Sequence, residues 1–233
     1  MRSFLYTASA FLAAATAVLA SPTPIGRYVG CDCGRVTLSP EILVDSSNAS
    51  NALPPPPQGQ LLKRVVVGYG TQNYSCSNGQ VVPNGAKAVL YDVSCPVSSN
   101  SGIEKYLAPV ALHTDPNFQS TFVKLCSSIL QAQANVGVHD FQGDFATPVF
   151  HFSDKKSKFC GAVANKIPAP PGSDSGKKPD NHGAVPWLRL TSKPGMGSTY
   201  STVYRLYTAG GQTPPGPCNG PQVIPYAAMY YFY

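Results

Sequence analysis

The sequence predicts a mainly-β protein, an antiparallel β-sandwich or flattened barrel of about eight strands with one short helix. Charged residues make up only 12% of the chain, which also holds 21 glycines and 23 prolines. This composition favours short strands joined by turns over amphipathic helices, whose exposed faces need charged side chains. Apolar runs of strand length also recur between turn residues along the chain.

The N-terminal segment 1–20 has the pattern of a secretory signal peptide. Arg2 precedes an almost unbroken apolar run from Phe4 to Leu19, and the small residue Ala20 stands at the expected cleavage site. No later window approaches the ~20 apolar residues of a membrane span, so we expect a secreted, extracellular protein that does not associate with a membrane.

Residues 21–60 are predicted to form a Pro/Ser/Asn-rich arm ahead of a single β domain at 61–233. The run Pro54–Pro57 prefers an extended polyproline conformation. We expect the arm to bury little apolar surface and to be dispensable for folding, because ordering it costs ~1–2 kcal/mol per residue in backbone entropy.

The body of the chain contains eight segments with strand character. In chain order they are 61–69, 86–92, 134–141, 147–153, 159–165, 184–192, 199–209 and 222–233. Turns are expected at 77–79 and 83–85, because both segments end in Asn-Gly, which readily adopts positive φ. The last segment is apolar on both alternating faces, so both faces should be covered.

One helix and one long loop separate these strands. Asp115 can cap the helix, Pro116 suits its first position, and apolar residues follow at helical spacing to Leu130. The loop at 166–183 is polar and rich in proline and lysine.

The seven cysteines suggest disulfide bonds in an exported protein, and their odd number leaves at least one thiol over. We expect Cys76 to pair with Cys95, because two turn signals and a strand between them bring the ends of a loop of about twenty residues back together. No cysteine or histidine spacing matches a metal site. Asn48 and Asn73 begin sequons for glycosylation.

A dinucleotide site is not supported. Gly68-Tyr69-Gly70 follows an apolar strand, but Asn73 stands where the third glycine of the fingerprint belongs, and no helix follows. A turn is the better interpretation, and we expect no nicotinamide or other cofactor.

Catalytic patterns are also weak. No G-x-S-x-G motif occurs, and Asp174-Ser175-Gly176 lies in the polar loop. A hairpin of 134–141 and 147–153 would place His139 opposite His151, with Asp154 nearby, which allows a small polar or weak metal site. The alternative is a buried histidine bonded to the backbone and a surface histidine.

Two further ligand-binding candidates, Trp187 and Arg205, lie in the predicted strands 184–192 and 199–209. Aromatic side chains on alternating strands are either core residues or a platform that stacks against sugars. Lysines make 155–178 basic, which fits a solvated loop or contact with an anionic wall polymer. The basic and aromatic pattern of a nucleic-acid-binding domain is absent, so nucleic acid is not an expected partner.

Seven sequence blocks over roughly 61–233 resemble a family of secreted fungal proteins, domain of unknown function 3455, whose members are often labelled malate dehydrogenase. The failed glycine fingerprint does not support that label. Tyr207 stands where the family pattern has Asn, and His151 where an acid is commoner. The resemblance implies no catalytic residues. The blocks are 70–76, 90–95, 137–141, 147–150, 183–190, 204–211 and 226–233.

The functional expectation is a monomeric, non-enzymatic extracellular module that binds a polysaccharide or another component of a cell wall or substrate. The rival is a secreted hydrolase with a site around His139 and a carboxylate. A surface aromatic row favours binding, whereas a deep cleft that holds His139 and an acid favours catalysis.

The missing phosphate-cradling turn generates a first prediction. The protein should show no saturable binding of NAD at micromolar concentration, as measured by calorimetric titration of the refolded mature chain. A saturable isotherm in that range would contradict the interpretation of the glycine pattern.

Overall fold

The computed structural model describes residues 36–45, 48–100, 102–114, 133–143 and 146–233. These residues form a 3-10 turn, ten strands and two helices. The elements are the turn Pro40–Leu43, β1 (Val44–Asp45), β2 (Asn48–Ala52), β3 (Arg64–Ser77), β4 (Gln80–Asp92), α1 (Ser94–Ser99), α2 (Glu104–His113), β5 (Gln133–Gln142), β6 (Thr147–Phe152), β7 (Lys158–Ile167), β8 (Trp187–Ser192), β9 (Thr202–Gly210) and β10 (Gln222–Phe232).

Strands β3 to β10 form a closed antiparallel barrel. Neighbouring strands follow the chain order from β3 to β9, and β10 closes the barrel between β9 and β3. Strands β1 and β2 form a separate two-stranded sheet. The prediction of a mainly-β protein with about eight strands is therefore confirmed, and of the two architectures expected the barrel is the one found.

Strand β10 is buried on both faces, as predicted. Its inward side chains belong to an inner core that fills the barrel, and its outward side chains belong to an outer core on the barrel wall. From β10 the inner core takes Tyr226, Ala228, Tyr230 and Phe232, and the outer core takes Ala227, Met229 and Tyr231.

Gly68 and Gly70 lie inside β3, so the expected turn at this position is wrong. A Cβ on Gly68 would come within 2.8 Å of the Tyr230 ring, and one on Gly70 would collide with the backbone of Lys87. These glycines allow close approach of side chain and backbone within the barrel.

The two Asn-Gly signals have different outcomes. The turn at 77–79 is confirmed, since it joins β3 to β4 with Asn78 and Gly79 at positive φ. The turn expected at 83–85 is wrong, because this segment lies within β4. There Gly85, at a φ of 82°, accompanies an irregularity in the pairing with β3, so the local conformation is that of a bulge.

The helices α1 and α2 were not predicted from the sequence. Leu107, Ala108, Ala111 and Leu112 of α2 are buried in the outer core, so the helix covers part of the barrel wall. The helix expected from Asp115 to Leu130 lies outside the described residues. Among the residues that the structure describes, no helix is both long and apolar enough to cross a bilayer.

The described part of the predicted arm packs against the barrel. Leu38, Leu43 and Leu53 are buried in the outer core, and the backbone N–H of Leu53 donates to the Leu43 carbonyl at 2.8 Å. The Pro54 carbonyl accepts a hydrogen bond from the Tyr204 hydroxyl at 2.7 Å. The expectation that this segment buries little is therefore wrong for the described residues.

The predicted Cys76–Cys95 bond is also wrong, since Cys76 is bonded to Cys218. Cys76 pairs with Val81 near the turn between β3 and β4, whereas Cys95 follows the far end of β4. At ~3.3 Å per strand residue this separation is roughly 35 Å, beyond the reach of a disulfide. Cys95 is disulfide-bonded, though not to Cys76, and Cys160 is a buried free thiol.

The burial of the arm leucines generates a second prediction. Leu53→Ala should lower the free energy of unfolding by ~2–5 kcal/mol, because it leaves a cavity in the outer core. Leu61→Ala is the matched control, since that side chain is 70% exposed and should change stability by less than ~0.5 kcal/mol. Urea denaturation measures both. Equal stability of the two variants would show that the arm does not belong to the core.

Candidate functional site

An aromatic cleft on the outer wall is the first candidate site. It lies among α2, the loop that follows β7, and the strands β8 and β9, and has a volume of about 650 Å³. Its lining includes Tyr106, Pro109, Pro170, Asp174, Trp187 and Tyr207.

Trp187, one of the predicted candidates, lies at the start of β8 and is 5% exposed. Its ring centroid lies 5.2 Å from that of Tyr207, with the two planes tilted by 59°. The indole Nε1–H of Trp187 is buried and has no hydrogen-bond partner among the residues that the structure describes. An unpaired buried donor costs ~1–3 kcal/mol, so this indole N–H is an unsatisfied group in the wall of the cleft.

A bulge in β9 directs Tyr207 towards the cleft. Leu206 and Tyr207 are consecutive, yet both pack against the outer core, whereas regular alternation would send one of them inward. The register between β9 and β10 shifts at this point, and Tyr207 has a φ of 48°. The irregular pairing therefore places a second aromatic ring beside Trp187.

The outer rim of the cleft is formed by α2. Tyr106 is 58% exposed, and the Nζ of Lys105 lies 4.9 Å from the centroid of its ring. Pro109 of the same helix and Pro170 of the facing loop supply rigid apolar surface. The cleft thus combines an exposed ring at the rim with a more buried aromatic pair.

Unpaired polar atoms accompany these rings. Within the described part of the chain, the Oε2 atom of Glu104 and the hydroxyl of Tyr231 are buried without a hydrogen-bond partner, as is the Trp187 Nε1. Burial raises the pKa of Tyr207 to about 12, and the Glu104 charge adds to the shift. Tyr207 therefore stays a neutral phenol at neutral pH and can donate a hydrogen bond.

Asp174 also lines the cleft, but both of its carboxylate oxygens are engaged. Oδ2 lies 2.8 Å from the Nε2 of His113, and Oδ1 accepts the backbone N–H of Gly176 at 2.9 Å. Among the described residues the His113 side chain hydrogen-bonds only to Asp174. Asp174 therefore holds the loop in place through these two bonds. Among the described residues no serine hydroxyl is bonded to His113.

The barrel interior holds the second group of candidates. The expected hairpin of β5 and β6 is present, but His139 pairs with Phe150 and His151 pairs with Val138. A register one residue from the expected one puts the two histidines on opposite faces. His139 is buried and His151 is exposed, so the predicted juxtaposition of the two is wrong.

His139 lies in an apolar and aromatic environment. Its Nδ1 is 2.8 Å from the Val149 carbonyl and therefore carries the proton, and its ring stacks on Phe150 at 4.1 Å. Burial lowers the pKa of His139 to about 4, with the Arg205 charge lowering it further and the Val149 bond opposing. No carboxylate of the described residues hydrogen-bonds to His139.

The remaining candidates are dispersed. Asp154 lies in the β6–β7 turn, where the Ser157 N–H lowers its pKa to about 2, with help from the Lys156 N–H and the Arg64 charge. Asn48 lies in β2 and Asn73 in β3, and the Asn73 side chain accepts a hydrogen bond from Thr71. Within the described ranges, no group of three or more potential ligands could hold a metal ion.

Several residues of the cleft were missed from the sequence. Tyr106 lies on α2, whose buried positions 107, 108, 111 and 112 repeat at helical spacing and could have indicated a helix. Pro109 inside the helix obscures that signal. The direction of Tyr207 depends on a bulge, for which the sequence carries no marker.

The environment of His139 generates a third prediction. The unfolded chain has an ordinary histidine pKa of 6.5 and the folded chain one of about 4, so the unfolded state binds more protons between these values. The contribution of His139 to stability is therefore full above pH 6.5, and about 3 kcal/mol of it is lost as the pH falls to 4.

His139→Gln should remove this part of the pH dependence, whereas His151→Gln, on the opposite face of the hairpin, should retain it. Urea denaturation of the parent and both variants between pH 7 and pH 4 measures the difference. If the free energy of unfolding of the parent and of His139→Gln fell equally steeply with falling pH, His139 would not be a buried, neutral histidine.

Comparison with known proteins places the chain in a family. No curated protein and no solved structure matches the chain. Residues 56–233, which include all eight barrel strands, match the family described as "Protein of unknown function (DUF3455)". This match extends over well more than half of the sequence, and the chain therefore belongs to the DUF3455 family of proteins of unknown function.

Proposed function

We propose that the protein is a secreted, non-enzymatic module that binds a polysaccharide in the aromatic cleft between α2 and the barrel wall. The observation that carries this proposal is Trp187, which lines the cleft and holds a buried indole N–H without an acceptor. Hydroxyl and ring oxygens of a sugar are acceptors of the kind that this donor lacks.

The aromatic rings supply the second element of sugar recognition. The C–H faces of a pyranose ring pack against aromatic surfaces, and Tyr106 exposes more than half of its side chain at the rim. The more buried pair, Trp187 and Tyr207, extends the apolar surface inward. Tyr207 stays neutral to about pH 12 and can exchange hydrogen bonds with sugar hydroxyls.

Several features support an extracellular location. The segment 1–20 has the pattern of a signal peptide, and the sequence carries sequons at Asn48 and Asn73. The Cys76–Cys218 disulfide is of the kind that persists in oxidising compartments. Wall and matrix polysaccharides are the ligands available to a protein in that location.

Binding is favoured over hydrolysis by the surroundings of the candidate acids and bases. A glycosidase places two carboxyl groups on either side of the scissile bond. In the cleft, Asp174 is the only carboxylate among the described lining residues, and both of its oxygens have partners. His139 lies inside the barrel, away from any described carboxylate that could bond to it.

The cleft generates a fourth prediction. Tyr106→Ala should weaken binding to an insoluble polysaccharide by about tenfold or more, because it removes the exposed stacking surface. Val110→Ala is the matched control, since it truncates another half-exposed residue of α2 that does not line the cleft. Depletion assays against β-glucan, cellulose and chitin measure the affinity.

A second variant tests the indole donor. Trp187→Phe keeps an aromatic ring but removes the N–H. The free energy of binding should therefore fall by more than the free energy of unfolding, and depletion assays and urea denaturation measure the two. The cleft would not be the binding site if Tyr106→Ala and Trp187→Phe both kept the affinity of the parent protein. An equal loss of affinity in the control Val110→Ala would exclude it as well. Lack of binding by the parent protein to all three polymers would overturn the ligand class.

A further inference from the structure

Arg205 lies inside the barrel. It pairs with Tyr230 of β10 and Leu188 of β8, and both of these residues belong to the inner core. Its neighbours Tyr204 and Leu206 belong to the outer core, as strand alternation requires. The Arg205 side chain is only partly exposed, so the barrel interior holds a half-buried positive charge.

This charge has no acidic partner among the described residues, whose salt bridges all involve other groups. The Nε and Nη2 atoms of Arg205 both donate to the Pro186 carbonyl, at 3.2 and 2.8 Å. A single carbonyl oxygen fixes the guanidinium in place but carries no net charge to balance it. Buried charges in proteins are ordinarily paired, so this arrangement lacks an anion.

The titratable groups that interact with Arg205 are neutral at pH 7. Burial and, to a smaller extent, the Arg205 charge lower the pKa of His139 to about 4. For Tyr74, Tyr226 and Tyr230, burial raises the pKa and the Arg205 charge only partly opposes that shift. These four side chains therefore give Arg205 polar surroundings without a negative charge.

A second donor group lies nearby. Among the described residues the buried Nε2 of Gln72 makes no hydrogen bond of full geometry, and its weak interaction with the Tyr226 hydroxyl lowers the pKa of that hydroxyl. The Tyr226 and Tyr230 hydroxyls lie 3.1 Å apart and satisfy each other. The Gln72 amide and the Arg205 charge both act on Tyr226, so two donor groups lie near the same buried hydroxyl.

From these contacts we propose that the Arg205 end of the barrel interior binds a small organic carboxylate. A carboxylate carries one negative charge, matches the planar fork of a guanidinium, and has a second oxygen available for the Gln72 amide. Tyr74, which is partly exposed and interacts with the Arg205 charge, offers an aromatic surface for the body of such a ligand. Pro186, whose carbonyl holds the guanidinium, also lines a pocket of about 390 Å³ formed by the loop after β7 and the segment before β8.

The test uses benzoate as the probe and benzamide, its neutral counterpart of similar shape, as the ligand control. Each is titrated into the full chain and followed by the NMR signal of the Arg205 Nε–H. Benzoate should bind saturably and at least tenfold more tightly than benzamide. Titration with acetate shows whether the carboxylate alone suffices or the aromatic body is needed.

Variants locate the site. Arg205→Gln should weaken benzoate binding by tenfold or more, whereas Arg189→Gln should retain parent affinity. Arg189 is the matched control because it lies on the neighbouring strand β8 and donates to Tyr204 of the outer core. Gln72→Leu should weaken benzoate binding by a smaller factor, since it removes one donor and no charge.

Three results would overturn the proposal: no saturable binding of benzoate or acetate by the parent protein, equal affinity for benzoate and benzamide, or equal loss of affinity in the two arginine variants. If Arg205→Gln does not fold, the benzoate and benzamide comparison on the parent protein still decides the outcome. Failure here would leave polysaccharide binding untouched, because the aromatic cleft lies on the outer wall.

Discussion

The structure depends on the burial of β10 on both faces. Tyr226, Tyr230 and Phe232 fill the barrel from within, while Met229 and Tyr231 require cover from outside. Each large side chain contributes ~1.5–3 kcal/mol only if water is excluded from it. A barrel alone buries the inward side chains of β10 but leaves the outward ones exposed to water. The helix α2 and the leucines at 38, 43 and 53 therefore become part of the fold, since they cover the outer set.

The two candidate sites arise from this division into an inner and an outer core. Where α2 and the loop after β7 cover the wall incompletely, Trp187 and Tyr207 line a cleft rather than a sealed contact. Inside the barrel, one part is filled by aromatic rings that pack edge to face, such as Phe150, Phe152 and Phe232. The end that holds Arg205 is polar instead, and its polar groups are not all paired. Both sites are therefore places where packing or pairing is left incomplete.

The sequence predicts the barrel better than the sites. Strands such as β10 are visible because alternating burial leaves an apolar pattern along the chain. Position on a face depends on register, and a shift of one residue separated His139 from His151. The disulfide partner of Cys76 depends on strand lengths that were underestimated, since β3 and β4 continue to the turn at 77–79. The helix α2 was missed because Pro109 interrupts its pattern, and the burial of Leu53 was missed because prolines follow it. For the histidine register, the disulfide and Leu53, a contact between distant segments decided the outcome, and such contacts leave no local signal. Only α2 had a local signal, which Pro109 obscured.

Closure of the barrel also limits how other chains can associate with this protein. An open sheet ends in strands whose N–H and C=O groups can template a further strand, which leads to strand addition or to aggregation. In the closed barrel each of the eight strands is paired on both sides, and β10 occupies the position where an edge would otherwise lie. Where the strands are paired on both sides, an extended peptide therefore finds no free backbone groups to pair with. Along these paired strands recognition is left to side chains, and the barrel wall resists self-association through backbone pairing.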